Sequence, residues 1–177
     1  MAYVNLLPLG QPDSDKFDKM RARAEELGGV DENFIRLVGQ VPNYAEALFD
    51  ALTHSHADGN VDHKLKEIIR IQLARQAEDP YFENQRSKQA AEAGLTEEVI
   101  DAGSDDFEND DRFNAAEKWA LSYARLMYTE PKKLDKAFYD EGKTHYSEAE
   151  IMELGGFIAF HYGMQVFTRA IGLQAAG

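Results

Sequence analysis

Cysteine is absent from the 177 residues, which excludes disulfides, iron–sulfur clusters and any reaction that needs a thiolate. Basic residues are also scarce, 19 Lys and Arg against 32 Asp and Glu, for a formal net charge of −13. Such a surface repels phosphates and anionic headgroups, so neither nucleic acid nor a membrane is an expected partner. No stretch approaches the roughly 18 apolar residues that a membrane span requires. The opening MAYVNLLPLGQPDSD has no basic start, long apolar run or small-residue cleavage site, so it does not read as a signal peptide and the expected location is cytoplasmic.

What is present is 44% hydrophobic, enough for one domain over residues 1–177 with its core in 41–173. Pro8, Gly10 and Pro12 make residues 1–14 an extended arm, able to lie across a neighbour in an oligomer. Beyond it the apolar residues recur at helical spacing. Residues 15–27 form a polar helix stopped by Gly28-Gly29, and Asp31 caps a short helix that turns Phe34, Leu37 and Val38 inward. Residues 44–53 form another, with Ala45, Leu48, Phe49 and Leu52 on its apolar side. Asn114-x-x-Glu117 and Ser147-x-x-Glu150 have the form of capping boxes, the second opening a helix that runs to about residue 173. The acidic run 102–112 lacks the EF-hand ladder and reads as a solvated linker.

The polar residues that stand out lie around residues 61–94. Asp62 caps a helix in which Leu65, Ile68, Ile69, Ile71, Leu73 and Ala74 cover much of the circumference. Glu67 sits inside that pattern, where a carboxylate must be paired, protonated or turned to a pocket. Arg70 at i+3 and His63 at i−4 are on hand as partners, and a plain ion pair is the simplest reading. Asp79-Pro80 ends this helix and starts another, read as continuous to about Ala93 with Gly94 as its stop. His54, His56, Asp58 and His63 invite a metal, but a His-x-His among Gly, Asn and Asp residues reads better as solvated side chains or a lid over a pocket, and no metal is assigned. On the last helix His161 is the polar exception, with Gln165 one turn on; it is either a hydrogen-bonded core residue or a pocket residue.

The run EIIRIQLARQAEDPYFENQR (67–86), followed by AAEAGLTEEVI, resembles the core signature of the carboxymuconolactone decarboxylase and AhpD-like (alkylhydroperoxidase-like) family. In the redox branch a glutamate precedes a Cys-x-x-Cys that opens the next helix, then a histidine one turn on and a GLSxEEI segment. Here the glutamate falls on Glu67, the two cysteines on Asp79 and Phe82, and the histidine on Arg86. Peroxide reduction is thereby excluded. The resemblance implies an all-α, AhpD-like helical fold assembled into trimers or hexamers. It also implies cofactor-free decarboxylation or elimination on a small organic acid or lactone.

On that analogy Glu67 acts as general acid or base, tuned by Arg70 or His63. Arg86 or His161 binds a substrate carboxylate or a developing enolate, and Tyr81 donates a hydrogen bond. Arg70, Asp79, Phe82, His63 and Gln165 complete the expected substrate-binding set. The alternative is a non-catalytic oligomer that binds a ligand or partner, with Phe82 at a cysteine position as the mark of lost chemistry. An enclosed cavity reached by Glu67, Arg86 and His161 favours the enzyme, and a pocket filled by Phe82 and Tyr81 favours the scaffold.

Overall fold

The structure is a computed structural model that describes residues 2–176. All regular structure among the described residues is helical: α1 (Asp15–Leu27), α2 (Glu32–Val38), α3 (Pro42–Ala57), α4 (His63–Gln76), α5 (Pro80–Glu83), α6 (Lys88–Glu92), α7 (Glu97–Ser104), α8 (Ala115–Thr129), α9 (Lys136–Gly142) and α10 (Glu148–Ala170), with two short 3-10 turns around α8.

The ends of these helices follow from local chemistry. Asp31 accepts from the Asn33 and Phe34 amides, Asp62 from Leu65 and Ser87 from Ala90. Both capping boxes form, at Asn114–Glu117 and Ser147–Glu150. Each satisfies amides that the first turn of a helix leaves without partners.

Helix α4 is the central rod, with every residue from Leu65 to Ala74 buried. One apolar cluster on its flank joins Leu65, Ile68 and Ile69 to Ile100, Trp119, Leu121, Leu154 and Phe157 of α7, α8 and α10. The other joins Phe17, Phe34, Phe49 and Leu52 of α1–α3 to Ala74, Phe82 and Met164. Glu67 and Arg70 lie at the seam.

Three expectations need correction. The helix expected to run from Pro80 to about Ala93 is two short helices parted by residues 84–87. Arg70 draws the Phe82 and Gln85 carbonyls onto its guanidinium at 2.8 and 2.7 Å, and Ser87 gives its amide to Glu67 at 2.9 Å. Those groups are therefore lost to a continuous helix. Second, α3 continues four residues past Thr53, so His54 and His56 are helical, not in a loop. The turn that follows is tied down by Glu153, which accepts from the Asn60 and Val61 amides and pairs with the buried Lys66. Third, the acidic linker is pinned, because Phe107 is fully buried with Arg125 stacked 4.2 Å from its ring centroid. The N-terminal arm lies on its own chain: Leu7 pairs with Arg36, and the Tyr3 amide donates to the Ile171 carbonyl.

Candidate functional site

Glu67 is buried, and both of its oxygens are committed. Arg70 Nε donates to Oε2 and Nη2 to Oε1, each at 2.7 Å, forming a two-pronged pair within one helical turn. The Ser87 amide adds a third bond, to Oε1 at 2.9 Å. His56 Nε2 lies 2.9 Å from Oε2, within ion-pair distance but outside hydrogen-bond geometry, and has no other hydrogen-bond partner among the described residues. Burial alone would raise the pKa of this carboxyl, but Arg70, with help from His56, holds it well below the usual carboxylate range.

The histidines around this pair have partners that fix their protons. His63 Nδ1 faces the His56 carbonyl at 2.9 Å and therefore carries the hydrogen, leaving Nε2 to meet the Ser87 hydroxyl at 2.7 Å. Ser55 gives its hydroxyl hydrogen to the Leu52 carbonyl, so His161 Nε2, 3.1 Å from Ser55 Oγ, is the donor there. His161 Nδ1 is then a bare acceptor, buried and without a hydrogen-bond partner among the described residues. With Nε2 of His56 turned to Glu67, its Nδ1 faces Gly29, close enough that a Cβ added to that glycine would sit 3.7 Å away. Burial pushes His56 down to about 4, and it pushes His161 well below the ordinary histidine value. Both rings are neutral at pH 7.

These two rings and Arg70 border a cavity of about 20 Å³, lined otherwise by Leu27, Val30, Leu52, Phe82, Gly29 and Thr53. That is room for about one water-sized molecule. The Leu27–Val30 segment, joining α1 to α2 through Gly28 at φ 78°, forms one wall.

Of the residues singled out in the sequence, Glu67, Arg70, His63 and His161 come together here, and Phe82 walls the cavity. Gln165 supports the site from below, donating to the Arg70 carbonyl at 2.9 Å. Arg86 does not join them. It turns to Glu97 on α7, with N···O distances of 2.7 and 2.8 Å. Tyr81 is buried with its hydroxyl donating to Asp31 at 2.9 Å and accepting the Asp31 amide. Asp79 caps α5 and accepts from Thr168 Oγ1 at 2.8 Å. Neither Tyr81 nor Asp79 borders the cavity, and of Glu67, Arg86 and His161, whose joint reach into it was expected of an enzyme, only His161 lines it. The residue missed is His56. Its signal was its place one turn beyond Leu52 on the stripe Ala45, Leu48, Phe49, Leu52.

No family model and no curated protein matches the chain. Among solved structures it is similar to the debrominase Bmp8, at 25% identity and a TM-score of 0.80 over 97% of this chain and 92% of that one. A cysteine-to-alanine variant of Bmp8 in complex with 2,3,4-tribromopyrrole superposes with a TM-score of 0.79, at 23% identity over 98% and 92% of the two chains. An AhpD-core, peroxidase-related protein from Ralstonia eutropha JMP134 gives 0.76 at 13% identity over 99% and 92%. The helical arrangement and these superpositions agree: the chain has the all-helical fold of the AhpD-like, carboxymuconolactone decarboxylase-type proteins, in a form without cysteine.

Proposed function

We propose that the chain is a thiol-independent enzyme that moves a proton on a small organic molecule, in the manner of a lyase or decarboxylase, and needs no cofactor. The observation that carries this reading is the pairing of His56 with Glu67. A buried carboxylate lies 2.9 Å from one ring nitrogen of a neutral imidazole while the other nitrogen faces Gly29 at the cavity wall, and a small turn of the ring would give the arrangement by which a carboxylate orients a general base. Because donors already occupy Glu67 on both oxygens, it serves as the positioning residue and His56 as the proton acceptor. Phe82 supplies an apolar wall where the resemblance has a cysteine.

The expected result is measured by incubating the protein in D₂O with a panel of small lactones and acids, following loss of CO₂ or uptake of deuterium. His56→Ala and Glu67→Gln should each lower turnover by about 10²- to 10⁴-fold. A Glu67→Gln variant that kept full turnover would remove Glu67 from the mechanism.

A non-catalytic, ligand-binding role is the second reading, favoured by the small volume of the cavity and the saturation of Glu67. Tight binding of a panel member with no exchange of its protons would select that reading. The trimer or hexamer that the resemblance implies has an apolar surface for self-association along α10. There Met152, Val166 and Phe167 are exposed and Gly156 and Gly163 face open space. Sedimentation velocity reads the state, and a monomer at micromolar concentration would contradict it.

A further inference from the structure

We propose that a small organic substrate enters from a surface cleft between α1, α2 and the start of α6, and that the Leu27–Val30 segment is the gate between this cleft and the buried rings. The gate rests on the reading of His56 as the proton acceptor, since a cavity of about 20 Å³ admits one water and no organic molecule until a wall moves.

The segment has a space on each face. Leu27, Gly29 and Val30 wall the inner cavity beside His56 and His161. On the outer side Gly28, Val30 and Asp31, with Ile35, Gln85 and Lys88, line a cleft of about 400 Å³. That volume suits a small organic molecule. Val30 borders both spaces and is only 6% exposed, so its side chain is common to the two walls.

The segment is also the part of the inner wall that is free to move. Gly29 and Val30 are the cavity-lining residues that lie outside a helix. Both ends are anchored: the Gly28 amide donates to the Ala24 carbonyl at 2.8 Å, and the Asp31 amide to the Tyr81 hydroxyl at 3.0 Å. Gly28 has φ 78° and so little room that an added Cβ would fall 2.6 Å from the Arg86 carbonyl. Between these anchors neither Gly29 nor Val30 makes a backbone hydrogen bond among the described residues. Swinging them outward therefore gives up apolar contact at Val30 and no hydrogen-bonded ladder, the character of a segment that opens locally.

The test is modification of the full chain at pH 7 by diethyl pyrocarbonate, an organic reagent too large for the closed cavity, with the modified histidines read by peptide mass spectrometry. His54 and His145 are exposed and report the open-solvent rate. His56 and His161 are expected to react more slowly than these, at a rate unchanged by about 1 M urea, because opening a few residues exposes little surface. Val30→Ala is expected to speed both by about tenfold or more. Gly29→Ala fits the closed wall, its methyl 3.7 Å from His56 Nδ1, and is expected to slow both about two- to fivefold by restricting the open chain. Leu48→Ala, which trims the α1–α3 apolar cluster away from the cavity, is expected to leave both rates as they are. Rates that climb with urea, or that rise as much in Leu48→Ala as in Val30→Ala, would show that the rings are reached by general unfolding and would overturn the gate. The two readings fail separately. Labelling indifferent to Val30→Ala and Gly29→Ala removes the gate and leaves the chemistry, whereas gate-dependent labelling beside an unreactive D₂O panel removes the chemistry and leaves the gate.

Discussion

Replacing Glu67 with alanine is expected to cost about 3–5 kcal/mol of folding stability, the range found when one partner of a buried ion pair is removed. Arg70 would keep its place beneath Phe82 and Gln85, whose carbonyls it binds at 2.8 and 2.7 Å, but with no anion to balance it. The Ser87 amide would lose its acceptor at the same time. Arg70→Ala should cost about as much, because it strands the carboxylate instead. The double variant should be far less destabilised than the sum of the two, since each single change already breaks the shared contact. Urea unfolding of the four proteins in the cycle measures this. Additive penalties, or a Glu67→Ala cost below about 1 kcal/mol, would show that the pair is not the strut joining α4 to the 84–87 turn.

The second large effect is loss of stability in mild acid. His56 and His161 have folded-state values below the ordinary histidine value, so the unfolded chain binds their protons first. Groups of this kind contribute stability that is complete above the unfolded value and is lost as pH falls from there to the folded value. For His56 the window runs from 6.5 to about 4, and at about 1.4 kcal/mol per unit it amounts to about 3 kcal/mol. His161 acts in the same direction, its contribution also lost as pH falls below 6.5. Glu67, held low by Arg70, adds its own loss below the ordinary carboxylate value. Asp79, raised by burial, works the opposite way. The urea midpoint should therefore drop steeply between about pH 6.5 and about pH 4.5, and a flat midpoint across that range would contradict the burial of both rings as neutral species.

Much of this arrangement was legible in the residues. Leu65, Ile68, Ile69 and Leu73 leave no open face around Glu67, and that alone requires the carboxylate to be paired inside the protein. Ser147 and Glu150 set the start of α10 by a local rule. The parts that were not legible depend on contacts distant in sequence. The break at residues 84–87 is held by Arg70, which binds the Gln85 carbonyl within it and the Phe82 carbonyl just before it, and nothing in ENQR taken alone shows that. Arg86 could reach either the site or Glu97, and the approach of α7 decides for Glu97. His56 was hidden by its surroundings, since the Gly59-Asn60 turn after it suggested that the helix had already ended at Thr53.

The alkylhydroperoxidase-like architecture is thus kept without its sulfur chemistry. In this chain Phe82 fills the apolar wall of the cavity, and His56, from α3, approaches the α4 glutamate. A proton acceptor held in this way depends on its tautomer as much as on its position, because only the Nε2–H form both meets Glu67 and presents a lone pair to the cavity.

That tautomer is directly observable. In a ¹⁵N NMR titration of the imidazole nitrogens, His56 should show a protonated Nε2 and a bare Nδ1 at neutral pH, and should keep that pattern until the pH nears about 4. A His56 ring that titrates near the ordinary value of 6.5, or that carries its hydrogen on Nδ1, would mean that Glu67 does not hold it as a base.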